Sequence, residues 1–133
     1  MYLLDTDTII CSLKGHESVI KNLEKHIDDT AKICIITLME LYYGAYKSEY
    51  VSGNLAKIKT IESSFEIISV GNESAEIYAR LKALLQKMGT SLDDFDLIIA
   101  SCALANNLVL VTNNTKHYKR IESLKLDNWT VYK

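Results

Sequence analysis

The feature that most constrains this chain is its alternation of short, wholly apolar runs with longer amphipathic ones. Tyr2–Leu4, Lys32–Thr37, Phe65–Val70 and Leu108–Thr112 have the length and β-branched content of strands. Their apolar residues do not alternate with polar ones, so both faces of the sheet they form must be covered. Between them, apolar residues recur at helical spacing. Val19, Ile20, Leu23 and Ile27 do so within Glu17–Asp28, and Leu38, Leu41, Tyr42 and Ala45 within Thr37–Ser48. Leu55, Ile58 and Ile61 mark another helix. Ile77, Leu81, Leu84 and Leu85 mark Ser74–Met88, which Gly89 stops, and Asp93–Asn106 is apolar after an acidic start. This order predicts an α/β domain on a mostly parallel sheet. Thr130–Lys133 is expected to add a short edge strand. With 133 residues, no proline and no linker or repeat, the chain is expected to form a single domain over 1–133.

Composition narrows the function. Apolar residues make up 48% and charged residues 24%, as in ordinary globular domains. No run approaches the roughly 20 apolar residues of a membrane helix. The first residues carry no basic, apolar leader, so no signal peptide and a cytoplasmic location are expected. Cys11, Cys34 and Cys102 are odd in number and lack paired spacing, which argues for reduced thiols over disulfides or zinc. His16, His26 and His117 show no triad or metal spacing and are expected at the surface. A net charge of −2 does not advertise nucleic-acid binding. A nuclease can nevertheless hold phosphates through metal ions and a few local lysines.

The chemistry-bearing signal is acidic. In open α/β sheets, sites form beyond the carboxyl ends of the strands. The first strand ends in Asp5-Thr6-Asp7-Thr8, and Glu40 lies one helical turn beyond the second. Asp93-Asp94-Phe95-Asp96 opens the helix ahead of the fourth, which itself ends in Thr112-Asn113-Asn114. Capping explains Asp7 and Asp93 well. It explains Glu40 and Asp96 poorly, because each is followed directly by apolar helix. Packed carboxylates repel one another and resist desolvation, and no Lys or Arg pattern nearby offsets them. A hard divalent cation does offset them: Mg²⁺ takes oxygen ligands, keeps several waters and uses one or two direct carboxylates. Such a site suits phosphodiester hydrolysis by an activated water.

At these positions the sequence resembles a known family. LLDTD at Leu3–Asp7, TLMELYYG at Thr37–Gly44, DDFDLIIA at Asp93–Ala100 and LVTNN at Leu110–Asn114 are similar to the PIN-domain ribonucleases. More narrowly they resemble the VapC-type toxins of bacterial toxin–antitoxin pairs, whose ending Leu126-Asp127-Asn128-Trp129 also matches. The resemblance covers essentially the whole chain. It implies a three-layer α/β/α fold, metal-dependent endoribonuclease activity, a homodimer and a neutralising antitoxin. Asp5, Glu40 and Asp96 fall on the family's catalytic acids, with Asp5 and Asp96 as direct ligands of Mg²⁺, or alternatively Mn²⁺. Asn114 stands where many relatives have Asp or Glu, which leaves the second metal open, and Asp7 stands where many have Asn. On this reading Thr6, Asp7, Asp93, Asp94, Thr112 and Asn114 support the site, and Lys116, Lys119 and Arg120 meet the RNA backbone.

Two other readings stay open on the sequence. Leu3–Thr8 also fits the opening motif of haloacid-dehalogenase-like phosphatases, with Asp5 as nucleophile and Asp7 as general acid. That reading leaves Glu40 and Asp96 without a role. The other is a non-catalytic binding module that keeps the fold. Tyr42, Tyr43, Tyr46 and Tyr50 around Gly44 suggest a partner interface, and Gly44 within a helix suggests a close approach.

Overall fold

The computed structural model describes residues 1–133. Its centre is a five-stranded sheet, every neighbouring pair parallel, in the order β3-β2-β1-β4-β5. The strands are β1 (Tyr2–Leu4), β2 (Ala31–Cys34), β3 (Glu66–Ile68), β4 (Val109–Val111) and β5 (Leu126–Asp127). The helices are α1 (Thr6–Leu13), α2 (Glu17–Lys25), α3 (Ile35–Tyr46), α4 (Val51–Ser64), α5 (Asn72–Lys87), α6 (Asp94–Ala105) and α7 (Thr115–Tyr118).

Consecutive strand residues face opposite layers, and both layers are dry. Leu3 packs with α5 and α6 through Leu81, Leu97 and Ala100, while Leu4 packs with Ile9, Val19, Leu38 and Ile58 on the other side. Leu3, Leu4, Leu110 and Val111 are all fully buried. This is why the strands read as continuous apolar runs, and it gives the α/β/α layering expected from the resemblance.

The elements differ from the sequence reading in several places. Ile35, Ile36 and Thr37 are β-branched and read as strand, but they form the first turn of α3, where Ile36 and Thr37 are buried. Tertiary packing overrides their propensity. Helix α1 was not marked by any apolar pattern, since TDTIICSL is rich in poor helix formers. It forms because Asp5 caps it and Thr8 and Ile9 are buried beneath it. The edge strand is Leu126–Asp127, not Thr130–Lys133. The tail is held instead by Asn22, whose Nδ2 donates to the carbonyls of Trp129 and Val131, both at 3.0 Å. The close approach expected at Gly44 is not made within the chain, since a Cβ there would meet nothing within 4 Å.

Candidate functional site

The chain builds β1, β2 and β3 outward in one direction, then returns to lay β4 on the other side of β1. The strand order therefore reverses at β1 and β4, and their carboxyl ends open a crevice. Asp5 follows β1 directly. Its backbone N–H donates to Val111 O at 2.9 Å, which ties it to the end of β4. Its side chain is only 5% exposed. Oδ1 accepts from Thr6 N at 2.8 Å, and Oδ2 accepts from Thr112 Oγ1 at 2.9 Å.

Asp7 sits in the first turn of α1. Its Oδ2 accepts from Asn113 N at 3.1 Å and lies 3.2 Å from Thr112 Oγ1. The Thr112 hydroxyl has one proton between two carboxylates, and it also accepts from Asn114 N at 3.1 Å. Glu40 enters from α3. Its Oε1 accepts from Thr6 Oγ1 at 2.7 Å, and Thr37 Oγ1 lies 3.1 Å from the same hydroxyl. Asp96 enters from the first turn of α6, with Oδ2 3.3 Å from His117 Nε2 of α7.

These acids form one electrostatic cluster. Burial pushes Asp5 up to about 7, with Asp7 and Asp96 adding repulsion. Burial also raises Glu40, which feels Asp96 and Asp93, and raises Asp7 against the bonds from Asn113 and Thr112. No Lys or Arg pairs with Asp5, Asp7, Glu40 or Asp96. Such a cluster is unfavourable in itself and is suited to a bound cation. No three His, Cys, Asp or Glu side chains converge tightly enough to enclose an ion. Carboxylate oxygens without thiolates are donors that suit a hard, oxygen-preferring cation.

Several expected residues lie elsewhere. Asp94 does not support the cluster: it points to the outer face of α6, where Lys82 Nζ at 2.9 Å and Tyr78 Oη at 2.8 Å bind its Oδ1. Asp93 is exposed and caps α6 by accepting from Phe95 N at 3.1 Å. Arg120 is exposed, and its Nη1 donates to Ser91 O at 2.8 Å, which ties it to the loop that leads to α6 and leaves its other N–H groups open. Lys116, Lys119 and Asn114 are exposed beside the crevice.

His16 is exposed, as expected, while His26 and His117 are half-buried and engaged with neighbours. His16 caps α2, His26 stacks on Trp129 with ring centres 4.9 Å apart, and His117 meets Asp96. The contact of His117 was missed because it joins residues 21 positions apart through the sheet, which no local spacing reveals. Cys34 and Cys102, far apart in sequence, are buried with their sulfurs 3.7 Å apart. Around the crevice, one groove of about 300 Å³ runs between α1, α3 and α4, and a second of about 680 Å³ is lined by Met39, Tyr43 and Phe95. Glu40 and Gly44 border both. Tyr43, Tyr46 and Tyr50 are exposed, whereas Tyr42 is half-buried and donates to Glu62.

The PIN-domain family model matches residues 2–123. Ribonuclease VapC2 of Rickettsia felis is 38% identical over 131 residues, 97% of this chain and 98% of that one. This chain belongs to the VapC group of the PIN-domain family. The tRNA(fMet)-specific endonuclease VapC of Salmonella typhimurium is 35% identical over 96% of this chain and 97% of its own length. The fold agrees as well. The crystal structure of VapBC2 from Rickettsia felis bound to a promoter DNA fragment superposes with a TM-score of 0.91, covering 96% of this chain and 98% of that one. Membership of a PIN-domain group sets the phosphatase reading aside.

Proposed function

We propose that this VapC-type chain is an endoribonuclease toxin that hydrolyses RNA phosphodiester bonds with a divalent cation, Mg²⁺ or Mn²⁺. Asp5 and Asp96 hold the cation, and Glu40 serves as general base. The observation that carries this reading is the buried, unpaired Asp5 carboxylate at the sheet's switch point, pushed up to about 7 by burial and by its acidic neighbours.

When bound, the cation supplies Lewis acidity: it lowers the pKa of water and stabilises the departing oxygen. The chain's own residues do the rest. Thr6 occupies Oε1 of Glu40, so Oε2 is left to accept the proton of the attacking water. Burial, with Asp96 and Asp93 nearby, raises Glu40 above the ordinary carboxylate range. Thr112 and the N–H of Thr6 hold the two oxygens of Asp5 in a fixed plane. His117 stands against Asp96, with Nε2 3.3 Å from Oδ2. Lys116 and Lys119, exposed beside the crevice, meet phosphates of the RNA.

The partner reading extends from the same place. A cognate antitoxin and a second copy of the chain are the expected occupants of the surfaces bearing Tyr43, Tyr46, Tyr50 and Phe95, all exposed. No helix is long and apolar enough to cross a membrane. The cysteines are free, which suits a reducing cytoplasm.

Total RNA incubated with purified, antitoxin-free protein tests the reading. Discrete fragments are expected with Mg²⁺, and none with EDTA or with Asp5→Asn. Folded protein that leaves RNA intact in every condition would return the chain to the class of binding modules.

A further inference from the structure

One buried polar group at the site lacks a partner. Tyr118, the last residue of α7, is 1% exposed, and its hydroxyl makes no well-formed hydrogen bond, although the Asp5 carboxylate is close enough to interact with it. The ring is fixed in the core layer that contains Leu3, Leu97 and Ala100, so the phenol cannot swing out to water. Burial first, then the charges of Asp5, Asp96 and Asp7 and an interaction with the Asp5 carboxylate, raise the phenol's pKa and keep it protonated, which makes Asp5 its nearest candidate acceptor. Buried polar groups are almost always satisfied, and each exception needs a reason. A phenylalanine would fill the same space without stranding a hydroxyl.

The surroundings supply the reason. Towards carboxylates a protonated phenol can only donate. The Asp5 carboxylate has about four acceptor positions, of which Thr6 N and Thr112 Oγ1 take two. Thr112 is shared with Asp7, so its hold on Asp5 is incomplete. The preceding residue, His117, addresses Asp96, and the two rings pack edge to face at 5.6 Å. One turn of α7 thus faces both acids assigned to the cation.

We propose that Tyr118 is a positioning residue of the metal site: its hydroxyl donates to the Asp5 carboxylate when a divalent cation is held there, fixing the lone pair that Asp5 turns to the cation. The inference rests on the metal-dependent reading of the site. A carboxylate that keeps its full charge beside a cation is a strong acceptor for such a donor.

Calorimetric titration of Mn²⁺ into the purified chain tests this, with wild type, Tyr118→Phe and Asp5→Asn side by side. Thermal melting without divalent ions accompanies it. Tyr118→Phe is expected to bind Mn²⁺ roughly 10-fold more weakly, in line with the loss of a group that orients a ligand. Its melting temperature without ions should be unchanged or higher, because the stranded hydroxyl is gone. Mn²⁺ affinity equal to wild type, whatever the melting temperature, overturns the proposal. The metal reading is judged separately. Wild type that binds no Mn²⁺, or binds it as well as Asp5→Asn does, defeats that reading and this inference with it.

Discussion

The first turn of α6 presents two aspartates to two environments. Asp94, on the outer face, is matched by Lys82 and Tyr78, and these partners hold its carboxyl below the ordinary range. Asp96, on the inner face, meets only a histidine and adds to the repulsion on Asp5 and Glu40. Two residues apart, the same side chain is neutralised in one place and left in an acidic cluster in the other. Acids that serve the fold are given partners. Acids grouped at the switch point have hydrogen-bond donors but no Lys or Arg, and that missing charge is what a cation would bring.

The largest effect expected from this contrast is on RNA cleavage. Asp5→Asn should lower it by roughly 10³-fold, more than the 10–100-fold typical of groups that only support a ligand. Asp94→Asn, on the matched side, should leave cleavage rates unchanged. Equal losses in the two variants would erase the distinction between the faces.

Stability against pH sharpens the contrast next. In the unfolded chain Asp5 loses its proton near 3.8, whereas in the fold it keeps it to about 7. The folded state therefore binds more protons between these values, and protein without divalent ions should lose stability as pH rises through that window. By linkage the loss is about 4 kcal/mol at most. Chemical denaturation at pH 5 and pH 8 should read about 2.7 kcal/mol of it, the part that falls between pH 5 and 7. Mg²⁺ should restore most of the loss, and Asp5→Asn should flatten the profile.

Thr6→Ala should reduce cleavage by about 10–100-fold, because Glu40 loses the hydroxyl that fixes Oε1. Its Mn²⁺ affinity should change little, since Asp96 is untouched and Asp5 keeps the backbone N–H of residue 6. The smallest effect lies away from the acids. Gly44→Ala should stabilise the isolated chain by about 0.5–1 kcal/mol, since an added methyl meets nothing and helix propensity improves. If the same variant loses affinity for its antitoxin, the glycine serves a partner's close approach.

The contrast also shows what a sequence can and cannot disclose. The layered architecture was legible because residues such as Leu3 and Leu4 are apolar in succession, and only a sheet covered on both faces requires that. Asp5, Glu40 and Asp96 stood out because each interrupts or borders apolar sequence that gives an acid no local purpose. Asp94 was grouped with them because local spacing cannot tell the inner from the outer face of a helix whose partners are unknown. Lys82, which claims it, sits on α5. For the same reason His117 reads only as a surface residue in the sequence, and Tyr118 is not singled out. They lie on α7, a helix of four residues with no periodicity to read, from which His117 reaches Asp96 at the start of α6. Helix α1 was hidden by β-branched residues that form a helix only because Asp5 caps it and the sheet buries its inner side.

The central claim is that the unmatched acids exist to hold a divalent cation. Anomalous diffraction from crystals soaked in Mn²⁺ tests it most directly. The account predicts a peak in contact with carboxylate oxygens of Asp5 and Asp96, absent from Asp5→Asn crystals. A crevice without such a peak at saturating Mn²⁺, or Mn²⁺ bound at Asp93 and Asp94 instead, would contradict it.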